Sequence, residues 1–160
     1  MKKSGVRPAD ARRIFPAFVF ELFRAYSRLN SAGDEIAREF GLSSARWRVL
    51  GSACRSPKTV SDIARERGLT RQSVQQIVNS LLEDRLVKLI ENKNHKNAKL
   101  VAPTPSGKRA VLVLNKQATG FMTNMIDAVS VKDLEAATRI LEKFRIQLDV
   151  MMADREPDTD

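Results

Sequence analysis

One cysteine, Cys54, and one histidine, His95, are all that the chain offers toward disulfide, metal or thiol chemistry. A single thiol excludes an internal disulfide and fits a reducing cytoplasm, and no Cys/His set stands at zinc-ligand spacing. The sequence also lacks a glycine-rich phosphate loop and a paired-carboxylate constellation, which leaves little from which to build an active site. A protein with no enzymatic activity and no cofactor is expected. Long apolar runs are missing too, and none approaches the roughly 20 residues needed to cross a bilayer. The stretch Ile14 to Phe23 contains Pro16 and Glu21, is followed by Arg24 and Arg28, and has no small-residue cleavage site, so it does not read as a signal-peptide core. No membrane partner is expected.

Acidic residues are the remaining shortage. The 160 residues carry 28 Lys and Arg against 19 Asp and Glu, a net charge of +9, which favours a polyanionic partner. The imbalance is uneven: it is largest between Arg55 and Arg109, and reverses after Ala110, where acids outnumber bases. Hydrophobic content of 42% is ordinary for a globular protein, and 160 residues suit one domain with a real core or one domain plus a dimerisation arm.

What is present is concentrated between Thr59 and Gly107. The apolar residues Val74, Ile77, Val78, Leu81 and Leu82 recur at helical spacing, so one face of that helix is core. The opposite face carries Arg71, Gln72, Gln75, Gln76 and Asn79, with no acid until Glu83. Long amides and guanidinium groups are the side chains that read base edges in a major groove. Solvated polar faces are common on arbitrary helices, but they normally mix acids with bases. Thr70 is placed to cap this helix, leaving its N-terminal amides and positive dipole end available to a phosphate. A shorter helix bearing Val60, Ile63 and Ala64 precedes it, and Gly68-Leu69 supplies the turn between the two.

Downstream, Leu86 to Ile90 and Lys99 to Ala102 read as two paired strands, joined by a polar tip from Glu91 to Ala98. Lys93, Lys96 and Lys99 on that hairpin are spaced to meet phosphates beside or across a minor groove; an ordinary polar hairpin is the competing reading. Ser61, in the first turn of the shorter helix, serves either a phosphate or a cap, and Ser73 is expected to contact the DNA backbone.

These pieces together resemble the MarR family of bacterial and archaeal winged-helix transcription regulators. The resemblance rests on Gly41-Leu42-Ser43 leading to Trp47-Arg48-Val49-Leu50, on Thr59 through Ala64, on Leu81 through Val87, and on Leu100 through Gly107 with its Thr104-Pro105-Ser106. It implies a mainly α fold with a small β-hairpin wing, in which about 43–104 form a winged helix-turn-helix and about 15–40 and 105–153 form dimerisation helices of a single domain. One departure is visible: the family's wing commonly carries Asp-x-Arg, whereas His95 and Asn97 stand at the equivalent positions here. The resemblance further implies a small-molecule effector, often an anionic aromatic, held between the dimerisation helices and the winged helix, with Phe23, Tyr26 and Trp47 as candidate lining. Aromatics at helical spacing also read as plain core.

The flanking segments fit this scheme. A helix is predicted from Ala17 to about Phe40 with Pro16 beside its first turn; Gly33 lies inside it, so a break near Asn30 to Gly33 is the alternative. Gly41 closes that helix, Ser43 or Ser44 caps the next, and Pro57 ends it. Cys54 falls on the inward face there, where inert burial outweighs a sensing role. Lys58 to Val60 can form a short strand against the wing. Thr104 and Pro105 open a helix from Ser106 to about Ala128 with apolar Val111, Leu114, Phe121, Met125 and Ile126. Ser130 with Asp133 caps a last helix striped by Leu134, Ile140, Leu141, Phe144, Leu148 and Met151. So much apolar surface exceeds what a small winged helix can cover, and predicts a homodimer. Two-fold symmetry would set two reading helices about 34 Å apart on a pseudo-palindromic site in double-stranded DNA. The competing function is a protein or RNA interaction module without a specific DNA site.

Overall fold

The computed structural model describes residues 8–95, 98–127 and 129–153. In chain order these form α1 (Pro8–Ala37), a 3₁₀ turn (Arg38–Phe40), α2 (Ser44–Arg55), α3 (Val60–Arg67), α4 (Arg71–Glu83), β1 (Val87–Ile90), β2 (Leu100–Pro103), α5 (Pro105–Ile126) and α6 (Val131–Ala153). The fold is thus mainly α with one two-stranded antiparallel hairpin, as expected. The chain divides after Ala118 into two compact units.

The first unit departs from expectation at its start. α1 begins at Pro8 rather than Ala17, and Pro16 lies inside the helix instead of at its first turn. Pro8 suits a first helical position and Asp10 complements the dipole there, whereas Pro16 removes one backbone hydrogen bond that the long helix tolerates. No break occurs at Asn30 to Gly33. A Cβ on Gly33 would sit 2.7 Å from Ser44 Oγ, so the bare glycine is what lets α2 start against α1. The Ser44 amide also donates to Asp34 Oδ1 at 2.6 Å.

Gly41 adopts the left-handed conformation, φ 63°, and ends the 3₁₀ turn. Ser43 then caps α2, its Oγ accepting from the Arg46 amide at 3.2 Å. Leu50, Ile63, Leu81 and Leu114 are the largest fully buried side chains, and they draw α2, α3, α4 and α5 around one core. The Arg46 guanidinium pairs with Asp84 and donates to the Gly41 carbonyl, fastening the start of α2 to the end of α4.

β1 and β2 pair from Val87↔Pro103 to Ile90↔Leu100. The strand expected over Lys58 to Val60 shrinks to a single bridge, Lys58↔Val101. The reason is local: Thr59 caps α3 and Val60 is already its first residue. Thr104 caps α5 with Oγ1 accepting from the Gly107 amide at 3.1 Å.

The second unit holds the end of α5 and α6. Ser130 Oγ accepts from the Asp133 amide at 3.1 Å and donates to its carboxylate at 2.6 Å, the reciprocal cap foreseen for α6. Leu134, Ile140, Leu141, Phe144, Leu148 and Met151 are all exposed. In the first unit the same is true of Phe15, Phe20, Phe23 and Leu29 on α1. Among the described residues, no helix is long and apolar enough to cross a membrane.

Candidate nucleic-acid interface

α3 and α4 are fixed by paired caps and one tight turn. Thr59 Oγ1 accepts from the Asp62 amide at 3.1 Å and donates to the Asp62 carboxylate at 2.7 Å. That hydrogen bond holds the carboxyl below its ordinary range, with Arg65 and Lys58 adding to the effect. Ser61 is therefore not the cap; it is an exposed first-turn residue. Gly68 takes the left-handed conformation, φ 62°, which lets the Leu69 amide reach back to the Ala64 carbonyl at 3.0 Å. Thr70 then caps α4, accepting from the Ser73 amide at 3.1 Å and donating to Ser73 Oγ at 2.8 Å.

With that register, α4 turns Val74, Val78 and Leu81 fully into the core and leaves Arg71, Gln72, Ser73, Gln75, Gln76 and Asn79 exposed. Gln75 Nε2 donates to Asn79 Oδ1 at 2.8 Å, so these two amides form one ordered pair a helical turn apart. A recess of about 150 Å³ opens between the starts of α3 and α4 and the hairpin. Ser61, Arg71, Gln75 and Lys99 converge on it, beside Thr59 and Leu89. Gln72, Gln76 and Asn79 lie elsewhere on the exposed face of α4, and Lys93 is exposed on the hairpin tip. Lys96, like Asn97, lies outside the described residues. The recess thus presents a guanidinium, an ammonium, a hydroxyl and an amide together, a donor set suited to phosphate and base edges.

A larger cleft, about 570 Å³, lies within the first unit. Its α1 wall is Tyr26, Leu29, Asn30 and Gly33, at successive helical spacing; α2 supplies Ser44, Trp47, Arg48, Gly51, Cys54 and Arg55, and Arg67, Val111 and Asn115 complete it. Of the three aromatics considered for a ligand pocket, Tyr26 and Trp47 line this cleft, whereas Phe23, almost one turn before Tyr26 and 67% exposed, is not part of its lining. The three arginines went unforeseen. The signal was the i, i+3, i+7 spacing of Arg48, Gly51 and Arg55, which puts them on one face of α2.

Charge in the cleft is strongly arranged. Arg48 lies 6.0 Å from the Tyr26 ring centroid. A hydrogen bond with Asn30, and then the hydrogen bond and charge of Arg48, hold the Tyr26 hydroxyl below its ordinary value. Burial pushes the Cys54 thiol up despite the pull of Lys108, which agrees with an unreactive thiol. Burial and the neighbouring Arg55 lower Arg67. At the edge of this cleft Glu66 pairs with Arg55 and Lys58, accepts from Ser52 Oγ at 3.0 Å, and lies 3.6 Å from Arg67. The Lys58 hydrogen bond leads in bringing its carboxyl down to about 2.

Residues 40–96 match the MarR family. An uncharacterized protein of Mycobacterium tuberculosis is 29% identical over 130 residues, covering 81% of this chain and 91% of the relative. Among solved structures, the MepR–DNA complex of S. aureus is similar with a TM-score of 0.70 at 20% identity, covering 80% of this chain and 96% of that one. CouR from Rhodococcus jostii RHA1 bound to p-coumaroyl-CoA gives a TM-score of 0.73 at 19% identity, covering 79% and 90%.

Proposed function

We propose that the chain, whose residues 40–96 match the MarR family, is a winged helix-turn-helix transcriptional regulator that acts as a homodimeric repressor on a pseudo-palindromic site in double-stranded DNA and is released by a small anionic ligand. The observation that carries this reading is the exposed face of α4, free of acids before Glu83, beside the recess where Ser61, Arg71, Gln75 and Lys99 meet. In the proposal Arg71, Gln72, Gln75 and Gln76 contact bases, and Asn79 contacts them further along the helix. Ser61, Thr70, Ser73, Lys93, Lys96 and Lys99 hold the backbone.

A structural neighbour that is a DNA complex supports the nucleic acid as partner, and one that holds p-coumaroyl-CoA supports a small-molecule effector. The cleft is the proposed effector site, because its aromatic and aliphatic walls beside Arg48, Arg55 and Arg67 suit an aromatic carboxylate. The exposed apolar side chains of α1 and α6 support pairing with a second copy.

The test is selection of bound fragments from a genomic library at physiological salt, followed by gel shifts with competitor DNA. A preferred pseudo-palindrome that survives competitor is the expected result. Binding that is lost steeply and indiscriminately as salt rises would instead identify a basic interaction module.

A further inference from the structure

Glu66 stands between the cleft and the wing. On one side it holds Arg55 and, more loosely, Arg67, both of which line the cleft. On the other side it holds the ammonium of Lys58. The backbone of Lys58 is the only part of the α2–α3 connection bridged to the hairpin among the described residues: its amide donates to the Val101 carbonyl at 3.3 Å and its carbonyl accepts from the Val101 amide at 2.8 Å. The next residue, Thr59, caps α3 and borders the recess with Arg71 and Lys99. One carboxylate therefore joins a cationic cleft to the base of the wing through a chain of charge-assisted contacts.

Exposure gives the cluster a direction. The Arg55 side chain is 59% exposed, whereas Lys58, Glu66 and Arg67 are 26%, 27% and 23% exposed. Arg55 is the member that an incoming anion reaches most easily. A carboxylate has a limited number of lone-pair sites, and an arginine that turns to a second anion gives up part of its hold on the first. Glu66 is thus a resident anion with which any anion entering the cleft must compete.

We propose that Glu66 is the positioning residue that couples the cleft to the wing, so that an anion bound by Arg55 and Arg67 loosens the Lys58–Val101 bridge. This rests on the reading of the cleft as an effector site. The coupled element is the bridge, paired in this structure; the anion biases it toward opening only by engaging Arg55 and Arg67 differently in the paired and open arrangements.

Trp47 lines the cleft and is the only tryptophan, so its fluorescence reports occupancy without a label. The experiment titrates the whole 160-residue chain with sodium benzoate while following Trp47, and measures amide hydrogen exchange of Lys58 and Val101 by NMR with and without saturating benzoate. Benzoate should change Trp47 emission and speed exchange at those two amides about tenfold, leaving the Leu50 and Val78 amides in the core slow. Glu66→Gln should show the faster exchange without benzoate, bind benzoate more tightly, and gain no further acceleration from it. Arg55→Gln, at the most exposed member, should weaken benzoate binding and serves if Glu66→Gln does not fold. Benzoate that changes Trp47 emission without moving the two amides overturns the coupling and leaves the cleft reading intact. No change in Trp47 emission overturns both.

Discussion

Gly107 and the carbonyl of Leu86 approach so closely that a Cβ on the glycine would lie 2.0 Å from the Leu86 oxygen and 3.2 Å from Leu50 Cδ1. The first turn of α5 is pressed against the entry to the wing at this point. Thr104 Oγ1 and Ser106 Oγ both donate to the Arg85 carbonyl, at 2.8 and 3.1 Å, and the Thr104 amide donates to the Leu86 carbonyl at 3.0 Å. Gly107→Ala forces backbone apart, and should destabilise by roughly 2 to 4 kcal/mol. Urea unfolding of the variant against wild type checks this.

Arg71 and Lys99 face the same recess, yet they should fail differently. Arg71→Ala should cost roughly 1 to 3 kcal/mol on the preferred DNA site and relax the choice of base at one position. Lys99→Ala should weaken all sequences about equally and lower the salt slope by about 1. Anisotropy titrations on matched and mutated sites at several salt concentrations measure both. Equal loss on every sequence for Arg71→Ala would make it a backbone contact and sink the assignment.

Thr70 accepts one of the free amides at the start of α4 through a 3.1 Å hydrogen bond. Thr70→Ala should cost about 1 kcal/mol of stability, whereas Thr70→Ser should restore most of it. Thermal unfolding of the two variants provides the comparison.

Glu66 titrates at about 2 in the folded protein, below the usual value near 4.3 for an unfolded chain. A depressed folded value means that the carboxylate's contribution is complete above the unfolded value and fades as pH falls toward 2. Stability of wild type should therefore decline between about pH 5 and pH 2 more steeply than that of Glu66→Gln. Urea midpoints across that range test the difference; parallel curves would show that the cluster contributes nothing.

Cys54 lines the cleft with its thiol pushed up by burial. Iodoacetamide at pH 8 should alkylate it at least about tenfold more slowly than a cysteine in an unfolded peptide. Mass spectrometry over time reads the rate.

The helix-turn-helix was legible because its signals are local. Thr59 with Asp62, Gly68 and Thr70 each act within one helical turn, and the spacing of Val74, Val78 and Leu81 alone decides which face of α4 is left to solvent. The start of α1 was misread for the same reason: Pro16 is a breaker locally, and only the continuing helix overrides it. Phe23 shares the helical phase of Tyr26 and Asn30, and only its position nearer the start of α1 leaves it outside the cleft lining.

By itself, then, the chain determined its helices, its turn chemistry and the outward chemistry of α4, since those free energies arise between residues within a turn of one another. Tertiary structure alone decided that Arg67 joins Arg48 and Arg55 in one cleft, that Glu66 joins Lys58 to it, and that Gly107 meets Leu86. Those relations depend on the angle and distance at which helices and hairpin pack, which no periodicity within a single element records.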